Sequence, residues 1–126
     1  NRQDPAKGAY LLDFENFRHV YNFVRRSVER SKRNVQTVLF TLNPTKDMQD
    51  ASEMENALDF LEQAIFTSLR RMDVSTRYSS RQVIVMLLDA DIQNGDMVAM
   101  RIVKTFKKLY SGEGLEIDYE IVELDK

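Results

Sequence analysis

The sequence of 126 residues contains no cysteine and a single histidine, His19. The lack of cysteine excludes disulfides, thiolate zinc sites and cysteine nucleophiles, and one histidine excludes a multi-histidine metal site. No apolar run approaches the roughly 20 residues of a membrane-spanning helix. The 18 basic and 20 acidic residues nearly cancel to a net charge of -2, so no global field attracts nucleic acid.

The motifs of common enzyme classes are also missing. Neither glycine-rich phosphate loop, GxxxxGK[ST] or GxGxxG, occurs, and the GxSxG turn of serine hydrolases is absent. His19 stands beside the apolar stripe of a helical pattern, which favours a surface or core histidine over a catalytic one. Asp89 and Asp91 follow an apolar strand, where carboxylates can hold a metal, but a solvated acidic loop is the favoured interpretation.

Hydrophobic periodicity predicts an α+β fold. A first helix is expected over residues 13–33, where apolar side chains recur at steps of three and four. The elements predicted after it are a strand at 35–42, a helix at 51–71, strands at 74–78 and 82–88, a helix through 98–109 and a strand at 115–124. Without the first helix this order is βαββαβ, the ferredoxin-like unit with helices packed on an antiparallel sheet.

The segment VIVMLL, residues 83–88, is apolar at every position. Such a pattern is typical of a strand with both faces covered, so we expect an interior strand of a four-stranded sheet. Residues 1–9 are polar and include Pro5 and Gly8, which predicts a linker or N-terminal wing before a single domain at 10–126. Because the chain lacks an initial Met and a signal segment, we expect a piece of a longer cytoplasmic protein.

The segment SLRRMDVSTRYSSRQVIVMLLDAD, residues 68–91, carries a recognisable arrangement of motifs. RxxD is formed by Arg70 and Asp73, five residues follow, and Ser79-Ser80-Arg81-Gln82-Val83 then leads into the apolar strand. This arrangement resembles the core of the GGDEF, or diguanylate cyclase, family, in which Gly-Gly-Asp-Glu-Phe occupies the hairpin. The likeness extends over about residues 4–124, from a start similar to the family's Asp-Pro-Leu-Thr-Gly.

The resemblance implies a catalytically inactive copy that needs no metal cofactor. The family joins two GTP molecules into cyclic di-GMP with metal ions held by the first Asp of an Asp-x-Asp motif and by an acidic residue of the hairpin. Thr41 and Asn43 stand at the two aspartate positions, and Arg81 and Gln82 stand at the acidic hairpin positions. A hydroxyl, an amide and a guanidinium are poor substitutes for carboxylates at a Mg²⁺ site. Ser79 and Ser80 replace the glycines that let the backbone approach the nucleotide.

Some other functional positions of the family carry the same or chemically similar residues in this sequence. Glu55 falls where the family reads guanine with an Asp, and Arg70 and Asp73 match its inhibitory product site. Arg101 is the candidate second arginine of that site. Arginine can give two parallel donors to a phosphate, and aspartate can accept from guanine. In the competing interpretation, Arg70 suits a helix C-terminus and Asp73 forms a surface ion pair.

Three functions stay open from the sequence. The first is an inactive GGDEF-like signalling domain that serves as a regulatory or effector module and binds cyclic di-GMP at RxxD. The second is a protein-interaction or dimerisation module that binds no nucleotide, and the third is a working cyclase with substitute ligands, which Thr41, Arg81 and Gln82 disfavour. The expected partners are an upstream sensory or receiver domain of the same chain and a second copy in a homodimer. Neither nucleic acid nor membrane is expected to bind.

Overall fold

The computed structural model describes residues 10–11, 13–31, 34–45, 51–70 and 73–122. These residues form strands and helices in the order β1 (Tyr10–Leu11), α1 (Phe14–Ser31), β2 (Val35–Pro44), α2 (Ala51–Ser68), β3 (Val74–Ser79), β4 (Gln82–Leu88), α3 (Ile92–Leu109) and β5 (Leu115–Val122). The predicted α+β fold, with an extra N-terminal helix before a βαββαβ unit, is confirmed. Residues 1–9 and 123–126, including the predicted linker and the end of the last predicted strand, lie outside the described residues.

The strands form one sheet in the order β1-β3-β4-β2-β5. The four longer strands pair in antiparallel fashion, as predicted, whereas β1 pairs in parallel with β3 through Tyr10 and Leu11. A parallel pairing of two residues has no hydrophobic periodicity, which explains why the sequence did not predict β1.

Strand β4 occupies the middle of the sheet, and residues 83–87 are all buried. Its odd-numbered side chains belong to a large core with α2, α3 and β5, which includes Phe40, Leu61 and Ile102. Its even-numbered side chains form a smaller core with Phe17 of α1. Helices therefore cover both faces of this strand, as its uniformly apolar sequence predicts.

Helix α3 begins earlier than predicted, within the polar segment 89–96. Asp91 is its N-cap and accepts a hydrogen bond from the backbone N–H of Asn94 at 2.8 Å. The loop expected at Asp89 and Asp91 therefore ends at this cap, and α3 starts before the predicted residue 98 because a capping carboxylate can begin a helix whose first turn is exposed.

The turn after α3 is packed closely against an aromatic ring. A Cβ atom added at Gly112 would overlap the Tyr110 hydroxyl oxygen, so only glycine fits there without a shift. The Tyr110 hydroxyl donates to Glu53 at 2.6 Å, which joins the end of α3 to the start of α2. None of the helices in the described ranges is long and apolar enough to span a bilayer.

Candidate functional site

Asp73 of the RxxD motif is a buried residue at the junction of α2 and β3, with an exposed fraction of 1%. Its carboxylate accepts from the backbone N–H groups of Arg70 and Leu88, both at 3.1 Å, and its own N–H donates to the Arg70 carbonyl at 3.1 Å. These bonds close the turn and attach it to the end of β4. The ion pair of the competing interpretation is present between Arg70 and Asp73, but its carboxylate is buried rather than on the surface.

The Arg70 side chain is 63% exposed. Its Nη2 donates to the Leu88 carbonyl and lies 3.4 Å from Asp73 Oδ1, while Nε lies 3.5 Å from Asp73 Oδ2. Nη1 makes no hydrogen bond to a residue that the structure describes. The described residues thus hold the guanidinium from one side and leave N–H groups that can donate to a further partner.

Arg101 reaches the same place from α3. Its Nη2 donates to the Ser68 carbonyl at the C-terminal end of α2, at 3.3 Å, and the residue is exposed. The sequence placed Arg101 here only through the family resemblance. The packing of α3 against α2 brings the two arginines together although 30 residues separate them in the chain.

A surface pocket of about 270 Å³ contains all three predicted ligand residues. Its lining is formed by Ser68, Leu69, Arg70, Asp73, Leu87, Asp89, Ala90, Asn94, Met97, Val98 and Arg101. Asp89 has a φ of 58°, a left-handed conformation that aspartate tolerates better than most residues, and it turns the chain from β4 toward α3. Sequence reasoning named Arg101 but missed Asn94, Met97 and Val98 of α3, although all four residues share one helical face by their spacing.

The hairpin positions lie at the other end of β3 and β4. Thr41 Oγ1 accepts from Gln82 Nε2 at 3.1 Å, Ser79 Oγ donates to Gln82 Oε1 at 2.9 Å, and the Arg81 N–H donates to Ser79 Oγ at 3.2 Å. The side chains of this segment therefore hydrogen-bond to one another. Such neutral donors and acceptors beside an exposed arginine do not form the carboxylate set that Mg²⁺ prefers. Within the described ranges, no group of three or more His, Asp or Glu side chains could hold a metal ion.

The remaining predicted positions also have internal partners. Asn43 Nδ2 donates to Asp118 Oδ2 of β5 at 2.8 Å. Glu55, predicted to stand at the family's guanine-reading position, accepts from Nη1 of Arg77 at 2.5 Å. In the described structure, neither side chain belongs to the pocket that Arg70 lines.

Arg77 of β3 is the centre of a charged network with carboxylates of α2. Its guanidinium contacts Glu55, Asp59 and Glu62, with distances of 2.8 Å to Asp59 Oδ1 and 2.9 Å to Glu62 Oε2. The hydrogen bond to Glu62 raises the pKa of Arg77 above its ordinary value, burial opposes the rise, and Glu55 adds to it. The spacing of the three carboxylates, at steps of four and three residues, places them on one face of the helix.

The fold is similar to that of several solved diguanylate cyclases and GGDEF domains. A diguanylate cyclase protein from Thermotoga maritima matches with a TM-score of 0.67 and 18% identity, over 97% of this chain and 88% of that one. The GGDEF domain of DgcB from Caulobacter crescentus, solved with cyclic di-GMP, matches with a TM-score of 0.65 and 8% identity, over 96% and 76%. The diguanylate cyclase SiaD from Pseudomonas aeruginosa, solved with its activator SiaC, matches with a TM-score of 0.60 and 19% identity, over 82% and 44%.

No protein-family model and no curated protein sequence matches the chain. The identities to the solved structures are low, so the likeness establishes the fold. The chain has the fold of GGDEF domains, which confirms the fold that the RxxD and hairpin spacing predicted.

Proposed function

We propose that this GGDEF-like domain is a catalytically inactive signalling module that binds cyclic di-GMP in the pocket lined by Arg70, Asp73 and Arg101. The observation that carries the proposal is the placement of two exposed arginines, one just after α2 and one on α3, around one pocket. The solved DgcB domain, which shares the fold, contains cyclic di-GMP. A GGDEF-type domain with an arginine pocket suits a regulatory or effector role downstream of a sensory or receiver domain.

The two arginines supply the attraction for the ligand. Cyclic di-GMP carries two phosphate groups, and a guanidinium can give each phosphate two parallel charge-assisted hydrogen bonds. Arg70 is held by Asp73 and the Leu88 carbonyl, so less side-chain freedom is lost when it binds. Binding of this kind needs no metal ion.

Asp73 acts by positioning in this proposal. Its oxygens already accept from two backbone N–H groups, and 1% exposure leaves little access for a guanine base. The sequence suggested a direct contact between this carboxylate and guanine. We instead assign it the role of holding the turn and the orientation of Arg70.

The proposed lack of cyclase activity rests on the residues at the hairpin end of β3 and β4. Thr41, Arg81 and Gln82 stand at the ligand positions of the family's metal ions, and Thr41 and Gln82 hydrogen-bond to each other. An arginine would repel a divalent cation at the place where the cation must bind. We therefore expect no metal-dependent cyclase reaction from this chain.

Calorimetric titration with cyclic di-GMP, repeated with a chelator, tests the binding. We expect a heat of binding that the chelator leaves unchanged and that weakens as salt is added. Incubation with GTP and Mg²⁺ should form no cyclic di-GMP above a control without protein. A titration that is silent at near-millimolar dinucleotide would contradict the binding, and product that disappears with chelator would contradict the inactivity.

The alternative of an interaction module that binds no nucleotide has one observation in its favour. Ile92, Met97 and Met100 of α3 are large apolar side chains with exposed fractions of 65%, 63% and 61%. Exposed apolar side chains on one helix are typical of a surface that another protein covers. Sedimentation of the purified chain tests the homodimer version, which requires a concentration-dependent mass.

A further inference from the structure

The two edges of the sheet differ in length. Strand β1 ends one side with two residues, whereas β5 ends the other with eight. All eight residues of β5 pair with β2 without a shift in register, and its outer side pairs with no strand that the structure describes. The strand, LEIDYEIV, contains neither proline nor lysine, the residues that commonly block pairing at an edge.

The side chains of β5 alternate between apolar and acidic along most of the strand. Leu115, Ile117, Tyr119 and Ile121 pack against the large core, and each remains partly exposed. Glu116, Asp118 and Glu120 stand on the opposite face and are exposed. The edge therefore combines a row of backbone donors and acceptors with apolar side chains on one face and carboxylates on the other.

An open groove adjoins the first half of this strand. It has a volume of about 440 Å³ and lies between the C-terminal part of α3 and β5. Its lining is formed by Phe106, Lys107, Tyr110, Gly112, Leu115, Glu116, Ile117 and Asp118. A strand added beside β5 would place every second side chain on the apolar side of the sheet and the others beside the carboxylates.

We infer that the outer edge of β5 docks an extended segment of another protein in which basic residues alternate with apolar ones. Main-chain hydrogen bonds would supply affinity, and the alternation of the two faces would supply specificity. Lysine or arginine opposite Glu116, Asp118 and Glu120 gives cross-strand pairs of opposite charge, each of which stabilises the pairing.

The acidic face also argues against a second copy of this chain as the occupant. If β5 paired with β5 in antiparallel fashion, with both apolar faces on one side, carboxylates would stand opposite carboxylates. Like charges directly opposite each other destabilise a strand pair. A basic partner strand is therefore the occupant that the charges favour.

Synthetic peptides of about eight residues test this inference with the whole chain. The probe alternates lysine with valine, one control alternates glutamate with valine, and a second control has the lysine composition in scrambled order. A third control is the probe with N-methyl groups on alternate backbone nitrogens, which blocks pairing. We expect the probe to bind at least about tenfold more tightly than each control and to slow amide exchange within residues 115–122.

Charge-reversal variants test whether the peptide binds at the outer edge of β5. The double variant Glu116→Lys with Glu120→Lys should weaken binding of the lysine probe by about tenfold or more and improve binding of the glutamate peptide. The matched variant Glu15→Lys with Glu113→Lys makes the same charge change at exposed positions outside β5. Its affinity for the lysine probe should stay within about twofold of that of the unchanged protein. Equal binding of the scrambled or N-methylated peptide, protection outside β5, or a dimer paired through β5 would overturn the inference.

Discussion

The two ends of the β3–β4 pair show how differently one fold can use polar side chains. At the hairpin end, Thr41, Ser79 and Gln82 hydrogen-bond to one another. At the opposite end, Arg70 and Arg101 stand exposed around a pocket, and the described residues hold them through backbone carbonyls and one buried carboxylate. A motif position can bind a ligand only when its own fold leaves its donors free.

Arg77 and Arg70 show the same difference between the two ends. Among the residues that the structure describes, Arg77 is 31% exposed and contacts three carboxylates, whereas Arg70 is 63% exposed and contacts one. The acidic network compensates the charge of Arg77 inside the protein. Arg70 shares its single carboxylate with two backbone N–H groups, so its positive charge remains available to an anion.

Asp73→Ala should have the largest effect, because it removes the carboxylate that holds the turn beside the pocket. Two backbone N–H groups would lose their acceptor in a buried place, which should lower the free energy of unfolding by about 3 kcal/mol. Urea denaturation measures this change. Asp91→Ala, which removes a helix cap, should cost only about 1 kcal/mol, and equal losses for the two variants would contradict the anchoring role.

Arg70→Ala should have the next largest effect, on affinity. It removes a charge-assisted contact, so cyclic di-GMP should bind about 30-fold more weakly, which corresponds to about 2 kcal/mol. Titration calorimetry measures the loss, and Arg18→Ala, an exposed arginine of α1, is the matched control. Equal affinities for the two variants would remove Arg70 from the site.

Arg77→Met tests whether the second arginine is structural. Glu62, whose side chain is 13% exposed, would lose its partner, and the free energy of unfolding should fall by about 1 kcal/mol. Affinity for cyclic di-GMP should stay within about twofold, because Arg77 does not line the pocket. A large loss of affinity without a loss of stability would place the ligand at the Glu55 end instead.

Tyr110→Phe should give the smallest change, about 1 kcal/mol at neutral pH, through loss of the hydrogen bond to Glu53. Burial, followed by that hydrogen bond, raises the pKa of Tyr110 to about 12 from its ordinary value of 10. A raised pKa means that the protonated tyrosine stabilises the fold fully below pH 10 and that this contribution is lost as pH rises toward 12. Melting curves of both proteins should converge over that range, and a constant gap would contradict the assignment.

The βαββαβ order was predictable because each element carries its own local pattern. Period-two and period-3.6 repeats indicated the strands and helices, and the uniformly apolar segment 83–88 indicated the central strand. Strand β1 and the start of α3 escaped prediction because a two-residue pairing and an exposed first turn leave no periodic signal.

The candidate site was predictable only in part. RxxD marked Arg70 and Asp73, but their different exposures, 63% for the Arg70 side chain and 1% for Asp73, depend on how the turn meets the end of β4. The sequence likewise marked Glu55 as a guanine reader without showing that Arg77 already contacts it. Local motifs identify residue types, and only the packing around them shows which donors remain free.

The sequence by itself determined the types and order of the secondary structure, the central position of β4 and the identity of Thr41 and Arg81 as residues without carboxylates, since these depend on local pattern and residue identity. Only the tertiary structure decided that Arg101 lies beside Arg70, that the Asp73 carboxylate serves the backbone, and that Arg77 meets three carboxylates of α2. These contacts join different helices and strands, so sheet register and helix packing create them.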